Sequence, residues 1–223
     1  MNILVLTSPR TASTTYMELL SNLYHLDNCF EPHPLYAAHS PYARELLKKT
    51  TARYLNNKNS VLKIHAGHIT EFVPHRDKGW FQNILDHTDD IHFLLRRDMC
   101  AQIKSLFVGT YYANNLNVDN IHDHFHDSWH EELVIPDTPE NRQRWQSMEL
   151  LLHTNLTGLT ALYHMLIDRN PKVVWTEDLA NQTQSGKLNR PVIFEWEPEY
   201  LYRPENWMPS NIQQIFASDK DKF

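Results

Sequence analysis

The stretch from Asn2 to Leu20 constrains the fold of this chain more than any other. Ile3-Leu4-Val5-Leu6 is a continuous aliphatic run, the pattern of a strand buried on both faces. Thr7-Ser8-Pro9 stops it. Arg10-Thr11-Ala12-Ser13-Thr14-Thr15 then supplies small and hydroxyl residues, and Tyr16-Met17-Glu18-Leu19-Leu20 continues to Leu23 with helical spacing. A strand, a tight turn and a helix start together make an anion site, because the first helical amides have no intrahelical acceptor and the helix dipole adds partial positive charge there. Arg10 adds a full charge, and the hydroxyls of Thr11, Ser13, Thr14 and Thr15 can donate to phosphate oxygens. The loop is not of the GxxxxGKS/T kind, since no glycine precedes Gly67. The alternative is an ordinary hydroxyl-capped helix after a strand.

A chain of 223 residues buries a full core, and its length fits one domain. Hydrophobic residues at 41% and charged residues at 22% describe a globular protein. The apolar runs are too short to cross a bilayer, and no basic leader with a cleavage site precedes the first strand. The two cysteines, Cys29 and Cys100, are too few for a disulfide framework. A reduced, cytoplasmic protein is the expectation. A net charge of −6 argues against coating nucleic acid, which needs a basic surface, but leaves room for a small anionic ligand in a local basic pocket.

Further along, Asp27 to Pro34 is a loop with two prolines, and residues 41–56 form a second helix. Ser60 to His65 is a strand ended by Ala66-Gly67, and residues 80–85 a short helix. Ile91 to Leu95 is a third buried strand, followed by Arg96-Arg97-Asp98 and a helix through about Tyr112. Residues 113–141 are polar and read as an insertion or lid. Residues 142–169 carry the longest helical pattern, ended by Asn170-Pro171. Lys172 to Trp175 is a fourth strand, and the tail after Ser185 reads as irregular apart from a short helix near residues 209–217. Alternating strands and helices predict an α/β fold whose central, mostly parallel sheet has four to five strands flanked by helices, with ligands at the carboxyl ends of the strands.

That rule selects Arg10 to Thr15 after the first strand, Lys63 and His65 at the second, Arg96 and Arg97 after the third, and Glu177 and Asp178 after the fourth. Three of the four ends carry fixed or potential positive charge in a chain of net negative charge.

These segments resemble a known family. SPRTAST before a helix is similar to the 5′-phosphosulfate loop of the sulfotransferases, above all the Golgi-type and bacterial branch in which an arginine opens the loop. LLRRDMCAQIKSL resembles their 3′-phosphate motif, a strand, Arg97, and Ser105 eight residues on. VVWTEDL resembles the YEDL segment, with Thr176 in place of tyrosine, and LKIH resembles the lysine-x-histidine strand end of the cytosolic branch. The likeness runs in order from about residue 3 to residue 180. It implies a single sulfotransferase-like domain over 1–223 with the lid at about 113–141, on a three-layer fold like that of the P-loop NTPases. It also implies the co-substrate 3′-phosphoadenosine 5′-phosphosulfate, held by Arg10, Thr11, Ala12, Ser13, Thr14 and Thr15 at one end and by Arg97 and Ser105 at the other. Eight helical residues rise roughly 12 Å, so Arg97 must precede the helix and reach along it. Ala12 stands where the family has glycine, and the RKG segment of the cytosolic branch is absent.

The implied reaction is in-line transfer of a sulfuryl group to a hydroxyl of a small molecule or carbohydrate, without a metal. It needs positioning, neutralisation of the leaving phosphate oxygen and a base. Arg10 and the loop amides stabilise the leaving group in this scheme, and Lys63 touches the sulfonate or stays structural. Glu31, bracketed by prolines, resembles the base of the Golgi-type and bacterial members. His65 resembles that of the cytosolic branch and has the better suited ordinary pKa. The Arg-type loop favours Glu31. The run His122 to His130 carries histidines one helical turn apart, as metal ligands can be; without cysteine or HExxH it reads as a solvated lid, and no metal is assigned. The rival functions are a P-loop kinase of a nucleotide or small alcohol, which lacks the expected Lys-Ser pair, and a nucleotide-binding protein without catalysis.

Overall fold

The computed structural model describes residues 1–9, 11, 13–29, 41–67, 69, 78–115, 133–180 and 192–198. Its centre is a five-stranded, wholly parallel sheet. The strands are β1 (Asn2–Thr7), β2 (Asp27–Cys29), β3 (Ser60–His65), β4 (Asp90–Leu95) and β6 (Lys172–Trp175), in the order β2-β3-β1-β4-β6. β1 pairs with β3 from Asn2↔Ser60 to Thr7↔His65 and with β4 from Ile3↔Asp90 to Thr7↔Leu94. Every residue of β1 and β3 is buried, as central strands with both faces covered require.

Side chains alternate between the two faces. Leu4, Leu6, Leu62, Ile64, Phe93 and Leu95 face one side, where they meet α2 (Pro41–Asn56) through Tyr54, α3 (Lys78–Asp86) through Ile84 and α5 (Pro139–Leu166) through Leu159 and Leu162. Ile3, Val5, Val61 and Leu94 face the other side, where α1 (Ser13–Tyr24) buries Tyr16, Met17 and Leu20 against them. The β1–β2 connection thus covers one face and the later crossovers the opposite one. This places the reversal of winding at β1, and the carboxyl ends of strands at such a reversal are where open α/β sheets bind ligands.

The amino ends of the strands are tied by one side chain. Asn2 donates to the carbonyls of Asn57 and His87 and accepts from the Ser60 amide, while its own amide donates to Asp89. A second core joins α4 (Met99–Asn115) to α5, where Phe107, Trp145, Phe194 and Trp196 pack with ring centroids 5.0–6.1 Å apart. It is covered by a separate parallel pair, β5 (Leu133–Ile135) and β7 (Val192–Phe194). Among the described residues no helix is long and apolar enough to cross a membrane.

Three element assignments differ from the sequence-based expectation. Asp27–Cys29 is an edge strand, not loop. Of the segment expected as an insertion or lid, residues 116–132 lie outside the described residues, and its end contains β5 and the start of α5, which Thr138 caps by accepting from the Asn141 amide. The tail contributes β7, because Phe194 and Trp196 complete the aromatic core.

Candidate active site

The carboxyl ends of β1, β3, β4 and β6 lie side by side, so the segments singled out by charge do converge. Arg10, Ala12 and Glu31, and the His122–His130 run, lie outside the described residues. The others can be placed.

After β1 the chain turns through Ser8 and Pro9 and starts α1 at Ser13. The turn is held from inside. Thr11 is fully buried; its hydroxyl lies 2.5 Å from that of Thr7 and 3.1 Å from the Ser8 carbonyl, to which it donates. Gln102 of α4, also fully buried, donates from Nε2 to Ser8 Oγ (2.8 Å) and to the Pro9 carbonyl (2.5 Å). Thr176, at the end of β6, donates to the carbonyls of Thr11 (2.8 Å) and Leu95 (2.9 Å). Three loop carbonyls are therefore occupied by the protein's own donors. The Thr11 hydroxyl, expected to meet a phosphate, is engaged within the turn; Ser13 is buried, and Thr14 and Thr15 are half-buried at the helix start.

The helix starts differ in a way that matters for anions. Asp98 caps α4 by accepting from the Ala101 amide, and the Glu177 carboxylate accepts from the amides of Arg97 and Asp98. Those donors are already filled by carboxylates. α1 is preceded by an alanine, which has no side-chain oxygen to offer, and its first turn contains no acidic residue.

Arg97 precedes α4, as its spacing to Ser105 requires. Its guanidinium, 40% exposed, binds Asp178 through two hydrogen bonds of 2.7 and 2.9 Å and stacks 4.8 Å from the Trp175 ring centroid. Asp178 first, through that hydrogen bond, holds the guanidinium pKa above its ordinary value. Arginine has five N–H donors in a fixed fork, so this pairing leaves others for a second anion. Ser105 is half-buried on α4, one turn beyond Gln102.

On β3, Lys63 and His65 share the α1 side of the sheet with Val5 and Thr7, their register partners. Lys63 is 4% exposed, and burial pushes its ammonium down to about 8. His65 is 7% exposed beside Thr7. Tyr16 is buried in the core, where its hydroxyl bonds His92 Nδ1 at 2.7 Å. An open depression of about 400 Å³ lined by His25, Asp27 and Asn57 to Asn59 lies at the opposite, amino ends of the strands, away from all these groups.

Sequence reasoning missed Gln102 and the carboxylate of Glu177 as loop and turn ligands. The signal for Gln102 was a polar residue within the Met99, Ile103, Leu106 stripe of a helix. Comparison of the chain with protein-family models, with curated proteins and with solved structures returned no match.

Proposed function

We propose that this chain is a sulfotransferase that moves a sulfuryl group from 3′-phosphoadenosine 5′-phosphosulfate to a hydroxyl of a small molecule or carbohydrate, on a P-loop-like fold. The observation that carries the reading is the loop after β1. It leaves the central strand at the winding reversal, its Ser8, Pro9 and Thr11 carbonyls are bound inward, and it opens a helix with no acidic residue in its first turn, between Lys63 and His65 on one side and Arg97 on the other. An anion needs donors without competing acceptors, and this arrangement supplies them.

In this reading the amides at Ser13 to Thr15 and the Arg10 guanidinium hold the 5′-phosphosulfate end and neutralise the phosphate oxygen as it leaves. Arg97 and Ser105 hold the 3′-phosphate. The acceptor oxygen attacks sulfur while the bond from sulfur to the phosphate oxygen breaks, and the acceptor proton passes to Glu31, with His65 the alternative base. Lys63 stands by the sulfonate.

A thermal shift tests the reading. Adenosine 3′,5′-bisphosphate at a hundredfold excess over Kd stabilises by about 2.7 kcal/mol, roughly 5–10 °C for a domain of this size. That shift, absent with ATP and Mg²⁺, is the expected result. A shift with ATP and Mg²⁺ alone overturns it in favour of a kinase, and no shift with either ligand reduces the loop to a structural turn.

A further inference from the structure

Gln102 is an expensive way to fill a core position. It is fully buried, its Nε2 donates to Ser8 Oγ and the Pro9 carbonyl, and its Oε1 is buried with no hydrogen-bond partner among the described residues. The orientation of the amide is fixed chemically, since a carbonyl oxygen can only accept and Pro9 therefore faces the nitrogen. A buried acceptor left unpaired is destabilising, whereas leucine or methionine would fill the same volume without that cost. Packing does not explain the residue. Its two N–H donors, both aimed at the turn between β1 and α1, do.

The position on α4 adds a second point. Gln102 lies five residues beyond Arg97 and three before Ser105, so Gln102 and Ser105 share a helix face one turn apart. The side chain that grips the turn thus belongs to the helix that follows Arg97 and carries Ser105, the two proposed 3′-phosphate ligands. We infer that Gln102 is a positioning residue: it holds the Pro9 carbonyl and the Ser8 hydroxyl of the anion loop inward and fixes the loop against α4, so that the 5′ end of the co-substrate meets donors. This rests on the function proposed above. Gln102 touches neither the reacting atoms nor, in this scheme, the nucleotide.

The test is isothermal titration of the wild type and of Gln102→Met and Gln102→Glu with three probes: adenosine 3′,5′-bisphosphate, adenosine 5′-phosphate and adenosine 3′-phosphate. Methionine keeps the length and removes the donors; glutamate keeps the shape and replaces the donor with an acceptor. Whichever variant retains a cooperative thermal transition is titrated well below its midpoint. The expected result is at least tenfold weaker binding of both 5′-phosphate ligands, with adenosine 3′-phosphate bound as by the wild type. A merely structural role predicts a lower transition temperature with all three affinities unchanged, and that result overturns the inference while leaving the proposed function standing. Equal losses for all three probes overturn it too, since they mean general damage. A wild type that binds none of the three overturns the proposed function and the inference with it.

Discussion

The guanidinium of Arg97 and the carboxylate of Asp178 meet through two hydrogen bonds of 2.7 and 2.9 Å, with the Trp175 ring beneath. Both side chains are substantially exposed, where an ion pair contributes at most about 1 kcal/mol. Arg97 is thus oriented by a weak partner that an incoming phosphate can replace. Asp178→Asn removes a competitor and is expected to tighten adenosine 3′,5′-bisphosphate by up to about fivefold, the equivalent of that 1 kcal/mol. Arg97→Ala is expected to weaken it by about 10- to 150-fold, from the roughly 1.5–3 kcal/mol of a charged hydrogen bond. Titration calorimetry reads both. An Arg97→Ala protein that binds as the wild type does removes Arg97 from the site.

Thr176 carries a different kind of connection. One hydroxyl serves the carbonyls of Thr11, in the turn after β1, and Leu95, at the end of β4. Thr176→Val keeps the shape and loses the donor, and is expected to destabilise by about 1–2 kcal/mol. Thr176→Ser restores most of it. Denaturant unfolding of the three proteins measures the difference, and a valine variant as stable as the wild type would show that water substitutes for the hydroxyl.

The sheet was legible where strands are buried on both faces. Ile3 to Leu6, Val61 to Ile64 and Ile91 to Leu95 write that burial directly into composition. β2 was not legible, because Asp27-Asn28-Cys29 has too few apolar residues; it forms because the Asp27 amide reaches the Asn59 carbonyl and Arg53 and Asn57 hold its carboxylate. The strand ends singled out by their charge lie side by side in the sheet. What each residue does there was hidden, since Gln102, Thr176 and Glu177 act on partners roughly 80 to 165 positions away. Thr11 illustrates the limit of reading by residue type: a hydroxyl suited to phosphate is used instead to close the turn.

A buried relay makes the fold acid-sensitive. Tyr16 donates to His92 Nδ1, His92 Nε2 donates to Asp90, and Lys172 also binds Asp90. Burial alone raises the Asp90 pKa, yet the hydrogen bonds from His92 and Lys172 outweigh it and leave the carboxyl at about 2, against 3.8 in an exposed aspartate. A depressed carboxyl pKa stabilises above its unfolded value and ceases to do so as pH falls through the folded one. The contribution is about 2 kcal/mol above pH 4, fading toward pH 2. Asp90→Asn is therefore expected to unfold more easily than the wild type at pH 7 and alike near pH 2. Parallel unfolding curves from pH 7 to pH 2 measure this, and a constant gap would mean that the charge is not the cause.

Lys63 carries the opposite sign. Burial on β3 pushes its pKa from 10.5 to about 8, so the native state favours the neutral amine more than the unfolded chain does. Between those two values the unfolded state binds more protons, and stability rises with pH. Below pH 8 the lysine is charged in both states, and its burial costs about 3 kcal/mol relative to high pH. Lys63→Met removes that cost and is expected to be more stable than the wild type at pH 7, with the advantage shrinking as pH rises from 8 to 10.5. A protein tolerates such a cost where the charge has work to do, so the same variant is expected to bind the phosphosulfate co-substrate more weakly while it unfolds later. Urea unfolding across that pH range, with titration at pH 7, measures both quantities. An advantage that does not change with pH would show that methionine stabilises by packing, and unchanged co-substrate affinity would make Lys63 a structural residue.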